Sequence, residues 1–387
     1  VSLRQPIHTV YGGAHLFRAD TCRKLGMLAE RAMTEYAPDP TTLASAMGIP
    51  EGLAETVHAR VLEKLRREPV ESFHIDFEDG FGVRPDAEED EAALAAAGQV
   101  AEGLARGTLP AFLGIRLKPL TEEWKARAFR TLRLFMETLL SRTGGQVPSN
   151  FVVVLPKITI VEQVTALADA LEMFPGVGSE LMVETPQSVL VLSKLVEAAR
   201  GRCSAVHFGA YDYTASLGIT ASRQSLLHPA CDFARSMMQV QLAGTDVWLV
   251  DGGTNVLPVG GVGPVHRGWK LHYDGVRHAL DNGFYQGWDL HPAQLPARFA
   301  AVYSFFLEGL EAASIRLRNF VAQAARSTQV AGVFDDAATG RGLLNYFLLA
   351  VNCGAVPQSE IPSLTGLTME QFHGATFRVA TTPVNPA

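Results

Sequence analysis

Short runs of β-branched and other apolar residues alternate with longer stretches of helical spacing along most of the chain. The runs are HTVYGG (8–13), SFHIDFED (72–79), FLGIRLK (112–118), FVVVLPKI (151–158), ELMVET (180–185), AVHFGAYD (205–212), DVWLVDG (246–252) and GWDLHP (287–292). Between them, helical periodicity predicts helices over Glu89–Leu104, Glu122–Leu140, Val161–Met173, Gln187–Ala199, Cys231–Leu242 and Leu271–Asn282. Strands that alternate with helices pair in parallel and build an α/β fold. Eight is the strand number that closes a TIM barrel, although a doubly wound open sheet gives the same local signals.

Two regions fall outside the rhythm. Residues 35–70 contain APDPTTL, MGIP and a helix, Glu51–Arg67, acidic early and basic late (Lys64, Arg66, Arg67) as a helix dipole favours. They predict a helical insertion after the first βα unit. From about residue 298 a long helix (Pro296–Thr328) and a second one (Thr339–Asn352) predict a C-terminal helical extension, ending in a loose tail. The expected organisation is therefore a catalytic α/β unit over 1–297 and the extension over 298–387.

Composition narrows the partners. Of 387 residues 47% are hydrophobic and 19% charged, enough for a large core and incompatible with general disorder. Lysine and arginine number 33 against 40 acidic residues, so nothing electrostatic recommends nucleic acid or an anionic membrane. Cys22, Cys203, Cys231 and Cys353 are scattered without a CxxC pair, which fits a reducing compartment. The opening VSLRQPIHTV shows no signal-peptide pattern. The uncharged stretch Gly342–Val356 is interrupted by Asn345 and Asn352 and is shorter than the roughly 18 residues of a membrane span. A soluble cytoplasmic protein is expected.

Candidate chemistry lies where the runs end. Asp76-Phe-Glu-Asp79, Arg116-Leu-Lys118, Lys157, Glu184, Asp212, Asp251 and His291 all sit at strand ends, which a parallel sheet gathers at one edge. Three carboxylates in four residues repel one another unless a cation or donors compensate; the alternative is a solvated loop capping the next helix. Glu184 and Asp212 each follow a run that looks buried, and two carboxylates on neighbouring strand ends make a hard-oxygen site for Mg²⁺. The alternative for either is a salt bridge, Glu184 with Lys157 or Arg116 for example. Arg116 offers a planar fork for a carboxylate or oxyanion, with structural pairing to Asp76 or Glu78 as the competing account. The glycine-rich stretch Gly252–Gly268 lacks both nucleotide-binding spacings and reads as a mobile loop over the site. His207, His228, His272 and His278 share no metal spacing and read as structural, and Cys203 and Cys231 as packing residues.

Taken in order, DFED, GIRLK, VLPK, VETP, HFGAYD and GWDLHPAQ resemble the HpcH/HpaI aldolase and citrate lyase β-subunit superfamily, over about residues 8–340. The resemblance implies a TIM barrel that binds a divalent ion, usually Mg²⁺ with Mn²⁺ as an alternative, and handles 2-oxo acids through enolate chemistry. It implies Glu184 and Asp212 as metal ligands and Arg116 as the contact to the oxo acid and its enolate. Lys157, Gly209 and Ala210 go with Arg116 as substrate-binding residues. Glu78 and Asp79 match the acidic pair that holds metal-bound water or positions the arginine. Asp336, in GVFDDAATGRGLLN, matches an acid that reaches the site from the C-terminal region, and is equally a good N-cap. The expected activity is a carbon–carbon lyase on a 2-oxo or hydroxy acid. The alternatives are an acyl-CoA-dependent lyase or condensation of the malate synthase type, and a barrel that binds a metal or metabolite without turnover. Tyr11-Gly-Gly-Ala-His15 departs from the family's opening loop near the CoA site, which counts against a CoA thioester. Family members are often homo-oligomers.

Overall fold

The computed structural model describes residues 4–327 and 337–374. Among them, eight parallel strands form one sheet: β1 (His8–Gly13), β2 (Ser72–Asp76), β3 (Phe112–Arg116), β4 (Phe151–Leu155), β5 (Gly178–Val183), β6 (Cys203–Phe208), β7 (Trp248–Val250) and β8 (Gly287–Asp289). The spatial order β7-β6-β5-β4-β3-β2-β1-β8 follows the chain, and β1 pairs with β8. A parallel bridge between Val250 and Gln286, with Asp251 N–H donating to Gln286 C=O at 2.8 Å, joins the remaining edges. The sheet is thus a nearly closed TIM-like barrel, and the open-sheet alternative falls away.

Helices follow the strands around the outside. They run α1 (Thr21–Tyr36), α2 (Pro40–Met47), α3 (Ala54–Arg67), α4 (Asp86–Arg106), α5 (Lys125–Thr143), α6 (Val161–Leu171), α7 (Pro186–Leu190), α8 (Leu192–Ala198), α9 (Ala210–Ser216), α10 (Pro229–Leu242), α11 (Val262–Asp281), α12 (Leu295–Ser327) and α13 (Ala337–Asn352). The helix expected over 187–199 is two, because Val191 leaves helical geometry at φ −118°, ψ 20°. The glycine-rich stretch is a loop only in its first part. From Val262 it is helix α11, whose Gly268 packs so closely on Pro258 that a Cβ there would lie 2.8 Å from the proline Cα. A small residue can thus serve close packing as well as loop freedom.

The insertion is α2 and α3. In α3, Val57, Val61 and Leu65 recur on one buried face, and the helix packs on α1, α2 and α12. Its buried Lys64 pairs with Glu68 at 2.7 Å and with buried Glu71 at 2.5 Å, whose other oxygen accepts the Ile7 N–H. That chain of contacts fastens the insertion to the start of β1 and β2. Helix α12 is held to the barrel in a similar way. Fully buried Asp289 at the end of β8 accepts from His8 Nδ1 (2.7 Å), His272 Nε2 (2.6 Å) and Arg298 Nε (3.1 Å). Among the described residues no helix is long and apolar enough to cross a membrane.

Asp289 joins β1, β8, α11 and α12 through one buried carboxylate, so removing it strands the buried Arg298 charge. Asp289→Ala is expected to cost about 3–5 kcal/mol in urea unfolding. A loss below about 1 kcal/mol would show that this junction does not hold the closure.

Candidate active site

Parallel pairing brings the C-terminal ends of all eight strands to one face, and there the barrel opens into a pocket of about 380 Å³. Its lining includes Arg116, Glu184, Gly209, Ala210 and Asp212, as well as Asp79. Most of the expected strand-end residues converge, but Lys118 turns to Glu89, Asp251 to Arg235 and His291 caps the Ala293 N–H, and these three do not line the pocket. Glu78 and Lys157 adjoin the pocket through ion pairs with these groups, whereas Asp336 lies outside the described residues.

Arg116 and Asp76 are register partners on β3 and β2. Arg116 donates from Nε to Asp76 Oδ1 at 2.7 Å and from Nη2 to Oδ2 at 2.5 Å. The same two oxygens accept the N–H groups of Glu78 and Gly80. Burial opposes charge on Asp76, but Arg116 and these donors hold its carboxyl below the ordinary range. Below the guanidinium lies the Tyr11 ring, 4.8 Å from its carbon. Structural pairing with Asp76 and a free face toward the pocket thus coexist. The fork's third nitrogen, Nη1, faces the weak acceptor Met182 Sδ at 3.6 Å and the carboxylates of Glu78 at 3.4 Å and Asp79 at 3.9 Å.

Lys157 has left-handed backbone (φ 50°), which for a non-glycine residue costs of order 1 kcal/mol or more. Contacts hold it there. Its N–H donates to Glu184 Oε1 at 2.6 Å, and its ammonium lies 2.6 Å from Glu78, 3.3 Å from Asp79 and 3.6 Å from Asp212. Glu184 is 1% exposed. Burial pushes its carboxyl up to about 7, and nearby Asp212 adds to the shift while Lys157 opposes it. Burial also raises Glu78, whose Oε2 has no hydrogen-bond partner. Gly209 lies against Glu184, so that a Cβ there would be 2.5 Å from Oε2. Only glycine permits that approach.

Five carboxylates (Asp76, Glu78, Asp79, Glu184 and Asp212) here face two cations, Arg116 and Lys157. The excess is negative and the donors are all oxygen, which is the chemistry of a hard divalent cation such as Mg²⁺ or Mn²⁺. The residues fit such an ion.

One level deeper in the barrel, His74, Glu180 and His207 bring potential ligand atoms within 4.8 Å of one another. This cluster was not visible as a motif, and a soft-metal site is its first reading. The hydrogen bonds point elsewhere. Trp288 Nε1, which can only donate, lies 3.1 Å from His207 Nδ1, so the imidazole proton sits on Nε2 and goes to Glu180 at 2.8 Å. Both His207 nitrogens are thereby engaged, and Tyr11 O–H adds a second donor to Nδ1 at 3.2 Å. His207 and Glu180 form a hydrogen-bonded support beneath Tyr11, whereas the His74 ring makes no hydrogen bond and has its Nε2 3.2 Å from Glu180. The cluster's signal was the period of two: Glu180, Met182 and Glu184 share one face of β5, as His74 and Asp76 do on β2.

The barrel is similar in fold to solved structures described as citrate lyases. A citrate lyase from Burkholderia xenovorans LB400 aligns with a TM-score of 0.61 at 18% identity, covering 92% of this chain and 96% of that one. Looser alignments are found with the citrate lyase β subunit complexed with oxaloacetate and magnesium from M. tuberculosis (TM-score 0.45, 18% identity, 78% and 97% covered). A HpcH/HpaI aldolase/citrate lyase family protein from Burkholderia cenocepacia J2315 gives a TM-score of 0.42 at 10% identity, with 81% and 95% covered. No curated protein matches the chain. Residues 1–380 match the model of a family described as a domain of unknown function, DUF6986, and the chain belongs to that family.

Burial lowers His74 to about 3, so the folded barrel refuses a proton that the unfolded chain accepts below about 6.5. Stability should therefore fall as pH drops from about 6.5 toward 3. Glu180, His207, Arg116 and Asp76 face His74 and remain in a His74→Gln variant. That variant is expected to show a shallower decline in urea-unfolding free energy between about pH 7 and 4.5 than the parent. Identical slopes would mean that His74 is not the group that titrates.

Proposed function

We propose that this protein is a Mg²⁺-dependent carbon–carbon lyase that cleaves a 2-oxo or hydroxy acid through an enolate. The observation that supports this most strongly is the charge imbalance: an oxygen-rich, net negative pocket rim with one arginine edge turned toward the cavity. A divalent ion held by Glu184 and Asp212 would supply the Lewis acidity that polarises a 2-keto oxygen beside a carboxylate.

The chain's own groups divide the remaining work. Arg116 is held rigid by two hydrogen bonds from its Nε–Nη2 edge to Asp76 and donates from Nη1 to the oxygen on which charge develops, a buried, preorganised donor. Glu78, whose Oε2 accepts no hydrogen bond and lies 3.4 Å from Arg116 Nη1, and whose proton affinity is raised by burial, takes the proton of the hydroxyl on the carbon whose carbon–carbon bond breaks. Lys157 holds Glu78 and Asp79 in place and limits their mutual repulsion. The Gly209 N–H is committed to the Val183 carbonyl at 3.0 Å, so Gly209 serves by its small size, and the Ala210 N–H at the start of α9 suits a substrate carboxylate.

The test is exchange of pyruvate methyl protons with deuterium in the presence of Mg²⁺, followed by NMR. Exchange is expected with the parent, and its absence across common 2-oxo acids would contradict enolate chemistry. Glu184→Gln and Asp212→Asn should each weaken Mg²⁺ binding by at least tenfold in titration calorimetry, about 1.4 kcal/mol. Arg116→Lys should leave Mg²⁺ affinity in place but slow exchange by about 10²–10³-fold. Near-normal exchange would remove the arginine from its role.

A further inference from the structure

A second cavity, of about 90 Å³, lies between the ends of β6 and β7 and helix α11. Tyr211 lines it and also lines the central pocket, so the two spaces share one wall. The side chain is fixed there, since its hydroxyl accepts the Asn255 N–H at 3.1 Å. The small cavity is apolar along Leu226, Val276 and Ala279, and its floor carries Asp251, 1% exposed.

Asp251 is half satisfied. Its Oδ1 accepts from buried Arg235 Nε at 2.9 Å. Among the described residues that line the cavity, its Oδ2 is the one buried side-chain atom without a hydrogen-bond partner. A charged acceptor left so in an enclosed space is costly unless something donates to it. The other charged lining groups are committed: Arg298 and His272 both donate to Asp289. An anion would meet the Asp251 carboxylate. A cation would be redundant, because Arg235 already balances that charge. A neutral donor on an apolar stem matches both the walls and the floor. At roughly 30 Å³ per water-sized group, the space holds about three of them.

We propose that this cavity is a second subsite, which takes the end of the substrate remote from the reacting carbons: a short aliphatic chain whose terminal hydroxyl donates to Asp251 Oδ2. The assignment of this end to a substrate rests on the 2-oxo acid reading of the central pocket. The preferred substrate is then an ω-hydroxylated 2-oxo acid whose chain runs past the Tyr211 side chain, where the two spaces adjoin.

Calorimetric titration of the Mg²⁺-loaded full chain with unbranched 2-oxo acids of about five to seven carbons, each beside its ω-hydroxy counterpart, tests the proposal. At one chain length the hydroxylated acid should bind at least about tenfold more tightly, as expected for a hydrogen bond to a buried carboxylate. Gly275→Leu is the matched control. A Cβ at Gly275 touches only Leu226 Cδ2, at 3.4 Å, so the longer side chain grows into the cavity. It should abolish that preference and leave pyruvate affinity unchanged. Equal binding of every pair, with pyruvate still bound, overturns the subsite. If pyruvate itself does not bind, the central-pocket reading fails separately, and soaks with butane-1,4-diol decide the cavity. A diol hydroxyl ordered on Asp251, and lost in Gly275→Leu crystals, supports the chemistry; water alone in the parent refutes it.

Discussion

The ion pair of Arg116 with Asp76 is the constraint around which the pocket is arranged. Two groups that face each other across β2 and β3 give the guanidinium two fixed hydrogen bonds, and the loop after β2 closes on the same carboxylate through the Glu78 and Gly80 N–H groups. A single acid therefore orients the arginine and shapes the acidic turn. Its partner Tyr11 is in turn supported from below by His207 and Glu180. The polar column costs desolvation, which its hydrogen bonds offset only in part, because both His74 ring nitrogens and Glu78 Oε2 are buried without a hydrogen-bond partner.

Around that column the site keeps a surplus of negative charge. Glu184 is buried against Gly209 and the Lys157 backbone, while Asp212 stands at the half-exposed rim on α9. A surplus of this kind, in a pocket without imidazole or thiol among its rim carboxylates, is a selective environment. It favours small hard cations and discourages softer ones. In the histidine cluster below, the indole N–H of Trp288 and the Glu180 carboxylate occupy both nitrogens of His207, so the two polar layers differ in chemistry despite their proximity.

Much of the fold was legible in the pattern of residues. Each of the eight apolar runs overlaps one strand, although β5 and β6 begin two residues before their runs, because each run needs burial on both faces and is bounded by residues that break or exit a strand. The insertion helix was legible from its dipole-ordered charges and the spacing of Val57, Val61 and Leu65. The strand-end acids and Arg116 were legible because parallel pairing sends every strand end to one face. Less legible were Tyr11, Glu180 and His207, which sit inside runs that look uniformly buried. Gly268 was misread, since a glycine that allows helix-to-loop contact has the same letter as one that frees a loop.

What the chain's order of residues determined by itself was the alternation of elements and the set of polar groups delivered to one edge. Those follow from local periodicity and from the fixed direction of parallel strands. Whether the sheet closed, which acid received the arginine, where the histidine proton sits and which carboxylate oxygen of Asp251 goes without a donor were decided only in three dimensions. Each of these depends on contacts between residues tens to hundreds of positions apart, such as His8 with Asp289 and Trp288 with His207, and no local pattern encodes their distance or direction.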